Sequence, residues 1–185
     1  MGTTQISVVW HGDLTPGQTT GLGRLFDAEY LQDEGLWSPE APYGYAPAEL
    51  HIVATSQGDV VGHVGTQRRT VLVGTREVVV AGTGGVLVSS GHRGTGLGQR
   101  LMAAAQEAAR TIAPAEYGYL GCREAVVPFY ESCGYERITV TERFRSRDGP
   151  DRTVEETGTP VMVCSGTRDV STWPTGEVDL RGLPW

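Results

Sequence analysis

The residues best suited to chemistry begin with Gly91-His92-Arg93-Gly94-Thr95-Gly96-Leu97-Gly98, which holds four glycines in eight positions. A glycine-rich turn ahead of a helix exposes amide N–H groups at the positive end of the helix dipole, an arrangement that binds phosphate. Arg93 adds a fork of donors for a pyrophosphate oxygen, and His92 is placed to join it. The stretch contains no Gly-Lys-Ser or Gly-Lys-Thr, which excludes a Walker loop. The dinucleotide pattern Gly-x-Gly-x-x-Gly fails at Gln99, where the third glycine would stand. Taken alone, the stretch is either a phosphate cradle or a turn without a ligand. A second set of candidates is acidic and aromatic: Asp33, Glu34, Trp37, Tyr43 and Tyr45 in one segment, Trp173, Glu177, Asp179 and Trp185 in another. Carboxylates and aromatic faces together suit a cationic ligand, although any one of these acids by itself reads as solvated loop charge.

The elements that must position these residues alternate between strands and helices. Ile6 to Trp10 reads as a strand, and Thr15-Pro16 as an N-cap with proline at the first helical position, opening a helix to about Gln32. Asp33 to Pro47 mixes proline, glycine, acids and aromatics and reads as a loop. Leu50 to Ser56 and Val60 to Arg69 form a hairpin, and Thr70 to Val73 begins another. The apolar run Val78 to Val88 fits a central strand covered on both faces, and Gly82, Gly84 and Gly85 inside it suggest a bulge or a closely approaching backbone or ligand. Leu97, Leu101, Ala105 and Ala108 recur at helical spacing to about Ala109. Tyr117 to Gly121 is a strand, Ala125 to Cys133 a helix ended by Gly134, Glu136 to Arg145 one strand, 146–158 a polar loop and Thr159 to Cys164 the last strand.

With these elements in place, Val88-Ser-Ser-Gly-His-Arg93-Gly-Thr-Gly96-Leu-Gly98 resembles the acetyl-coenzyme A signature of the GNAT N-acetyltransferase superfamily, and Phe129-Tyr130-Glu131-Ser132-Cys133-Gly134-Tyr135 resembles that superfamily's later Phe-Tyr-x-x-x-Gly segment. The resemblance implies an α/β (α+β) GNAT fold: a mixed central sheet of about six to seven strands, its central strands splayed, with flanking helices. It implies acetyl-CoA as co-substrate, with the backbone of Val86, Leu87 and Val88 on the pantetheine arm and Arg93, Gly94, Thr95, Gly96, Leu97 and Gly98 around the pyrophosphate. It makes Tyr130 the acid that protonates the departing thiolate; on spacing alone Tyr130 is a core aromatic of an amphipathic helix. Backbone N–H groups from Gly85 to Leu87 would polarise the thioester carbonyl. A homodimer is a further expectation from the superfamily.

Gln67-Arg68-Arg69, Val86-Leu87-Val88, Phe129-Tyr130 and the closing Trp185 resemble the aminoglycoside 2'-N-acetyltransferases. Ser171-Thr-Trp173-Pro174-x-Gly176 resembles the nodulation N-acyltransferases, which acylate a glucosamine amine. Both imply a cationic aminosugar acceptor, with an aminoglycoside-type antibiotic, the kasugamycin group among them, preferred over chitin-like oligosaccharides and antibiotic resistance as the outcome. Asp33, Glu34, Trp37, Asp179 and Trp185 are the expected acceptor contacts. The glutamate that the aminoglycoside enzymes carry on the central strand falls at Gly84 here, so the general base is unassigned among the acids, the terminal carboxylate of Trp185 and, as a fallback, His63. A peptide or protein amine is an alternative acceptor, and a non-catalytic acetyl-CoA sensor is an alternative of another class.

Composition agrees with a globular enzyme. The chain has 185 residues, 39% hydrophobic and 20% charged, with a net charge of -7 and a pI near 5.1. The expectation is a single domain over 1–185 in which 165–185 is a tail closing the substrate site. An acidic surface disfavours nucleic acid. No apolar run approaches the roughly 18 residues of a membrane span, no targeting segment is recognisable, and the cytoplasm is expected. Three cysteines without paired spacing and four scattered histidines give no metal site.

Overall fold

A computed structural model describes residues 3–149 and 151–185. Strand β1 (Gln5–Trp10) precedes helix α1 (Pro16–Glu34), whose Thr15 cap and Gln18 form the reciprocal hydrogen bonds of a capping box. The helix runs two residues past the expected end and takes in Asp33 and Glu34. Beyond Gly35 the chain is irregular to residue 49 apart from a single turn at Pro42–Gly44. Strands β2 (Leu50–Ser56), β3 (Asp59–Val73) and β4 (Arg76–Val88) follow as an antiparallel meander. Then come α2 (Leu97–Thr111), β5 (Tyr117–Gly121), the short α3 (Val127–Ser132), β6 (Glu136–Ile138), β7 (Thr141–Arg145), β8 (Thr153–Thr157), β9 (Val161–Ser165) and β10 (Val178–Asp179).

Three expectations need correction. Glu136 to Arg145 is two strands: β6 pairs with β9 at one edge, whereas β7 pairs with β8 and β10 at the other. The polar stretch 146–158 contains β8, whose exposed threonines and glutamates pair in register with β7. The tail contributes β10, wedged between β3 and β7. These additions raise the sheet from six or seven strands to ten, in the order β6-β9-β5-β4-β3-β10-β7-β8, with β2 and β1 on the first half of β3.

Helix α2 puts Leu97, Leu101, Met102 and Ala105 into a core with Ile52, Ala54, Val64 and Leu120, and Tyr130 and Tyr135 join it from around α3. On a second core, Leu22, Leu25 and Phe26 of α1 cover Val53 and Leu87. A third, formed by Val71, Val73, Val80, Tyr117, Tyr119 and Leu180, binds the tail to the sheet. Burying this much apolar area at about 25 cal/mol per Å² is what holds β4 under cover on both faces.

Candidate active site

The site begins with a fault in β4. Its parallel pairing with β5 runs only from Val80–Tyr117 to Gly82–Tyr119, so beyond Gly82 the two strands have no register partners and diverge. On the other side, β3 pairs His63 with Leu87 and Gly65 with Gly84, which leaves Gly85 and Val86 opposite Val64 alone. That is a bulge on β4, and Gly85 adopts a φ of +57° that glycine takes without strain. Gly85 is exposed in the opening between the strands.

The opening leads into a cleft of about 780 Å³. Its walls include Val86 and Gly85 of the bulge, Tyr130 of α3, Trp37 and Tyr43 of the 35–49 loop, and Trp185 of the tail. The loop is held by stacking of Trp37 on Phe26, ring centroids 5.0 Å apart, and by the bond from the Trp37 amide to Asp27. The Ala46 amide donates to the Pro184 carbonyl at 2.8 Å, tying loop to tail. Trp185 donates through Nε1 to Gln67 Oε1 at 3.0 Å, and the Arg69 guanidinium lies over its ring at 4.2 Å while donating to the Leu183 carbonyl at 2.8 Å. Burial lowers the Arg69 pKa to about 10, which still leaves the side chain charged.

Two of the strand glycines are thereby explained. A Cβ at Gly82 would land inside the Trp185 indole, and one at Gly84 would stand 2.7 Å from the Trp185 carbonyl carbon. The main chain of Trp185 occupies the space into which a side chain at position 84 would project.

Of the expected acceptor contacts, Glu34, Trp37 and Trp185 line the cleft. Asp33 does not: it is exposed on the last turn of α1, away from the lining residues. Asp179 does not either, since on β10 its Oδ1 accepts from the Arg181 amide at 2.8 Å. Glu34 also faces Arg147 at 3.6 Å, which offsets part of its charge. Val86 lines the cleft, but Leu87 turns its side chain into the α1 core and Val88 packs toward α2, so only their backbones are available to a ligand.

Gly94 and Gly96 have φ of +73° and +79°, and Gly96 caps α2, whose first-turn amides have no partner within the helix. Thr95 closes this turn through Oγ1 to the His92 carbonyl at 2.7 Å. A Cβ at Gly98 would come 3.1 Å from Phe129, so the two sequence motifs meet where Leu97 and Gly98 begin α2. Arg93 is half-exposed, bonded through Nε to the Val88 carbonyl at 3.0 Å and paired with Glu29 of α1. Tyr130 is buried among Cys122, Cys133 and Tyr30, and desolvation pushes its phenol well above the ordinary value near 10. It keeps its proton at any working pH.

Two features escaped the sequence reading. Glu142 is 7% exposed, accepts from the Tyr119 hydroxyl at 2.7 Å through Oε1, and lines the cleft beside Glu156. Burial is the first cause that raises its carboxyl pKa, opposed by the Tyr119 bond. The signal was present: strand alternation puts Glu142 in phase with Phe144, an inward acid where an apolar residue is expected. The other feature is a file of histidines. His63 Nδ1 lies 2.7 Å from the Gly85 carbonyl, His51 Nδ1 lies 2.9 Å from His63 Nε2, and His11 Nδ1 lies 3.2 Å from His51 Nε2. Desolvation lowers the pKa of His63 to about 4 and that of His51 to about 3, so both are neutral. Among the described residues no group of acids, histidines and cysteines is arranged to hold a metal. No helix among those residues is long and apolar enough to cross a membrane.

A splayed, bulged β4 leading into a glycine-rich turn and α2 is the architecture of the GNAT fold. Solved structures agree on the fold. An acyl-CoA N-acyltransferase from Pseudomonas aeruginosa superposes with a TM-score of 0.61 at 20% identity, covering 87% of this chain and 99% of its own. A GNAT N-acetyltransferase, YhbS of Escherichia coli, in complex with CoA, gives 0.58 at 19% identity over 97% and 91%. The glucosamine N-acetyltransferase region of a fungal multi-domain β-N-acetylglucosaminidase gives 0.55 at 20% identity over 76% of this chain and 18% of that one. Within this class, the profile of the nodulation protein A (NodA) family matches residues 2–182, and the chain belongs to that family. No curated protein sequence matches it.

Proposed function

We propose that the protein transfers an acetyl group from acetyl-CoA to an amine of an aminosugar. The observation that carries this reading is the single cleft in which the β4 bulge, Tyr130 and the buried carboxylate of Glu142 meet aromatic walls. The α2 N-terminus and Arg93 are suited to the pyrophosphate once Arg93 leaves Glu29, and the exposed edge of β4 to the pantetheine arm. As the amine nitrogen attacks the thioester carbonyl, charge develops on the carbonyl oxygen, where the Val86 N–H can stabilise it. The amine proton passes to Glu142, directly or through water, and the C–S bond breaks as Tyr130 gives its proton to the thiolate. Solvent then returns a proton to Tyr130 and removes the one on Glu142. A carboxylate with a raised pKa is the stronger base, which suits that role.

Glu34, Glu142, Asp148 and Glu156 outnumber Arg123 and Arg147 around the cleft, a balance that suits a polycationic acceptor such as an aminoglycoside-type antibiotic at its 2'-amine, with resistance as the result. Membership of the NodA family favours a second acceptor, the amine of a glucosamine oligomer. Thiol release from acetyl-CoA separates them when measured with aminoglycosides, kasugamycin, glucosamine oligomers and amine peptides. Turnover with a 2'-amino antibiotic supports the first reading and turnover confined to the oligomer supports the second. Coenzyme binding without turnover on any amine would leave only a sensor.

A further inference from the structure

The histidine file has a direction. The Gly85 carbonyl only accepts, so His63 must carry its proton on Nδ1 and donate at 2.7 Å. A neutral His63 then presents a lone pair on Nε2, which requires a proton on His51 Nδ1 at 2.9 Å. A neutral His51 in turn accepts on Nε2 from His11 Nδ1 at 3.2 Å. Every donor points inward, from half-buried His11 to the bulge. Both nitrogens of His63 are engaged, and no lone pair on it faces the cleft, which removes it as an acceptor for the substrate proton.

The end of the file is the peptide between Gly85 and Val86. In a trans peptide the C=O and the following N–H point in opposite directions, so a donor that fixes the Gly85 carbonyl also fixes the Val86 N–H. A bulge residue lacks a ladder partner to do this, and glycine at φ +57° has the freedom to swing. Successive hydrogen bonds polarise one another, so the file also draws electron density toward the Gly85 oxygen and makes the Val86 N–H a better donor. Phe26 meets His63 edge-on, ring centroids 5.4 Å apart, and restrains the ring.

We propose that His11, His51 and His63 are positioning residues for acyl transfer, an inward relay of N–H donors that holds and polarises the Gly85–Val86 peptide so that the Val86 N–H meets the thioester carbonyl oxygen. This rests on the acetyl-CoA reading above, yet its first test needs no turnover. Long-range 1H–15N correlation of the imidazoles in the unaltered protein should show His51 and His63 neutral with the proton on Nδ1; a proton on Nε2 of either overturns the proposal. For His63→Phe, the affinity for CoA, which has no acyl carbonyl, should stay within about twofold. Its kcat should fall about 10- to 100-fold, below the loss from deleting an oxyanion donor outright. His63→Gln, whose side-chain amide can donate to Gly85, should recover part of kcat and return the Val86 amide nitrogen shift toward its original position. Unchanged kcat in a folded His63→Phe protein, or a parallel loss of CoA affinity and kcat, overturns the relay. If the unaltered protein turns over no amine, the acetyl-transfer reading fails while the tautomer result stands by itself.

Discussion

Replacing Gly82 with alanine tests the tail and the cleft together. The new Cβ lands in the Trp185 indole, and β4 is buried between β3 and β5 there, so the indole must move instead of the strand. Undocking breaks the bond to Gln67, which contributes about 1 kcal/mol, and the stacking of Arg69, about 0.5–1 kcal/mol. It also exposes part of the face shared with Tyr119, whose ring centroid lies 6.1 Å away, for a total of about 2–3 kcal/mol. At about 1.4 kcal/mol per factor of ten, the docked indole becomes about 30- to 150-fold less populated, which sets the ceiling on the rise in acceptor KM. Undocking also frees the Ala46 amide from the Pro184 carbonyl, whereas β10 and the Leu180 amide bond lie upstream, so hydrogen exchange should accelerate at Ala46 while residues 178–180 stay protected. Gly23→Ala, whose Cβ meets nothing within 4 Å, is the control. Unchanged exchange at Ala46 together with an unchanged KM would refute the reasoning.

Three further outcomes follow from the carboxylate and the phenol. Glu142→Gln should lower kcat by about 10²- to 10⁴-fold, the span of general base catalysis, and remove the acid limb of the kcat/KM profile; a preserved limb assigns the base elsewhere. The same variant should raise Tm at neutral pH. Because folding raises the Glu142 pKa, the protonated form is preferred in the native state, and stability is lost as pH climbs from the unfolded pKa through the folded one. Glutamine removes that loss, and the advantage should vanish below the unfolded carboxylate pKa. Tyr130→Phe should reduce kcat with little change in acetyl-CoA affinity, and a rate loss below about threefold would remove Tyr130 as the acid.

Motifs with local chemistry were legible from sequence. The turn from Arg93 to Gly98, the Thr15 cap and the bounds of β5 depend on residues near one another in the chain, and they stand where spacing put them. Long-range pairing was not legible. Thr153 to Thr157 alternates no apolar residues strongly enough to read as a strand, and it forms one only because β7 offers an unpaired edge. The split at residues 139–140 is equally invisible locally, since β6 and β7 differ in partner and not in composition. Asp33 and Asp179 stand out in the sequence by charge alone, which carries no information about which way a side chain faces.

The glycines of β4 connect these observations. A central strand gains stability from large side chains, and each internal glycine costs it about 0.5–1 kcal/mol. Here the lost side-chain volume is filled from elsewhere: the Trp185 indole covers Gly82, the Trp185 main chain covers Gly84, and His63 and Phe26 press on Gly85. In the proposed mechanism the acid stands instead on β7, three strands along the sheet from β4, and its Tyr119 partner reaches it from β5. Substituting a glutamate at Gly84 therefore should not produce a better enzyme. Its Cβ would collide with Trp185 before its carboxylate reached the acceptor, and the acceptor wall would be lost along with the tail.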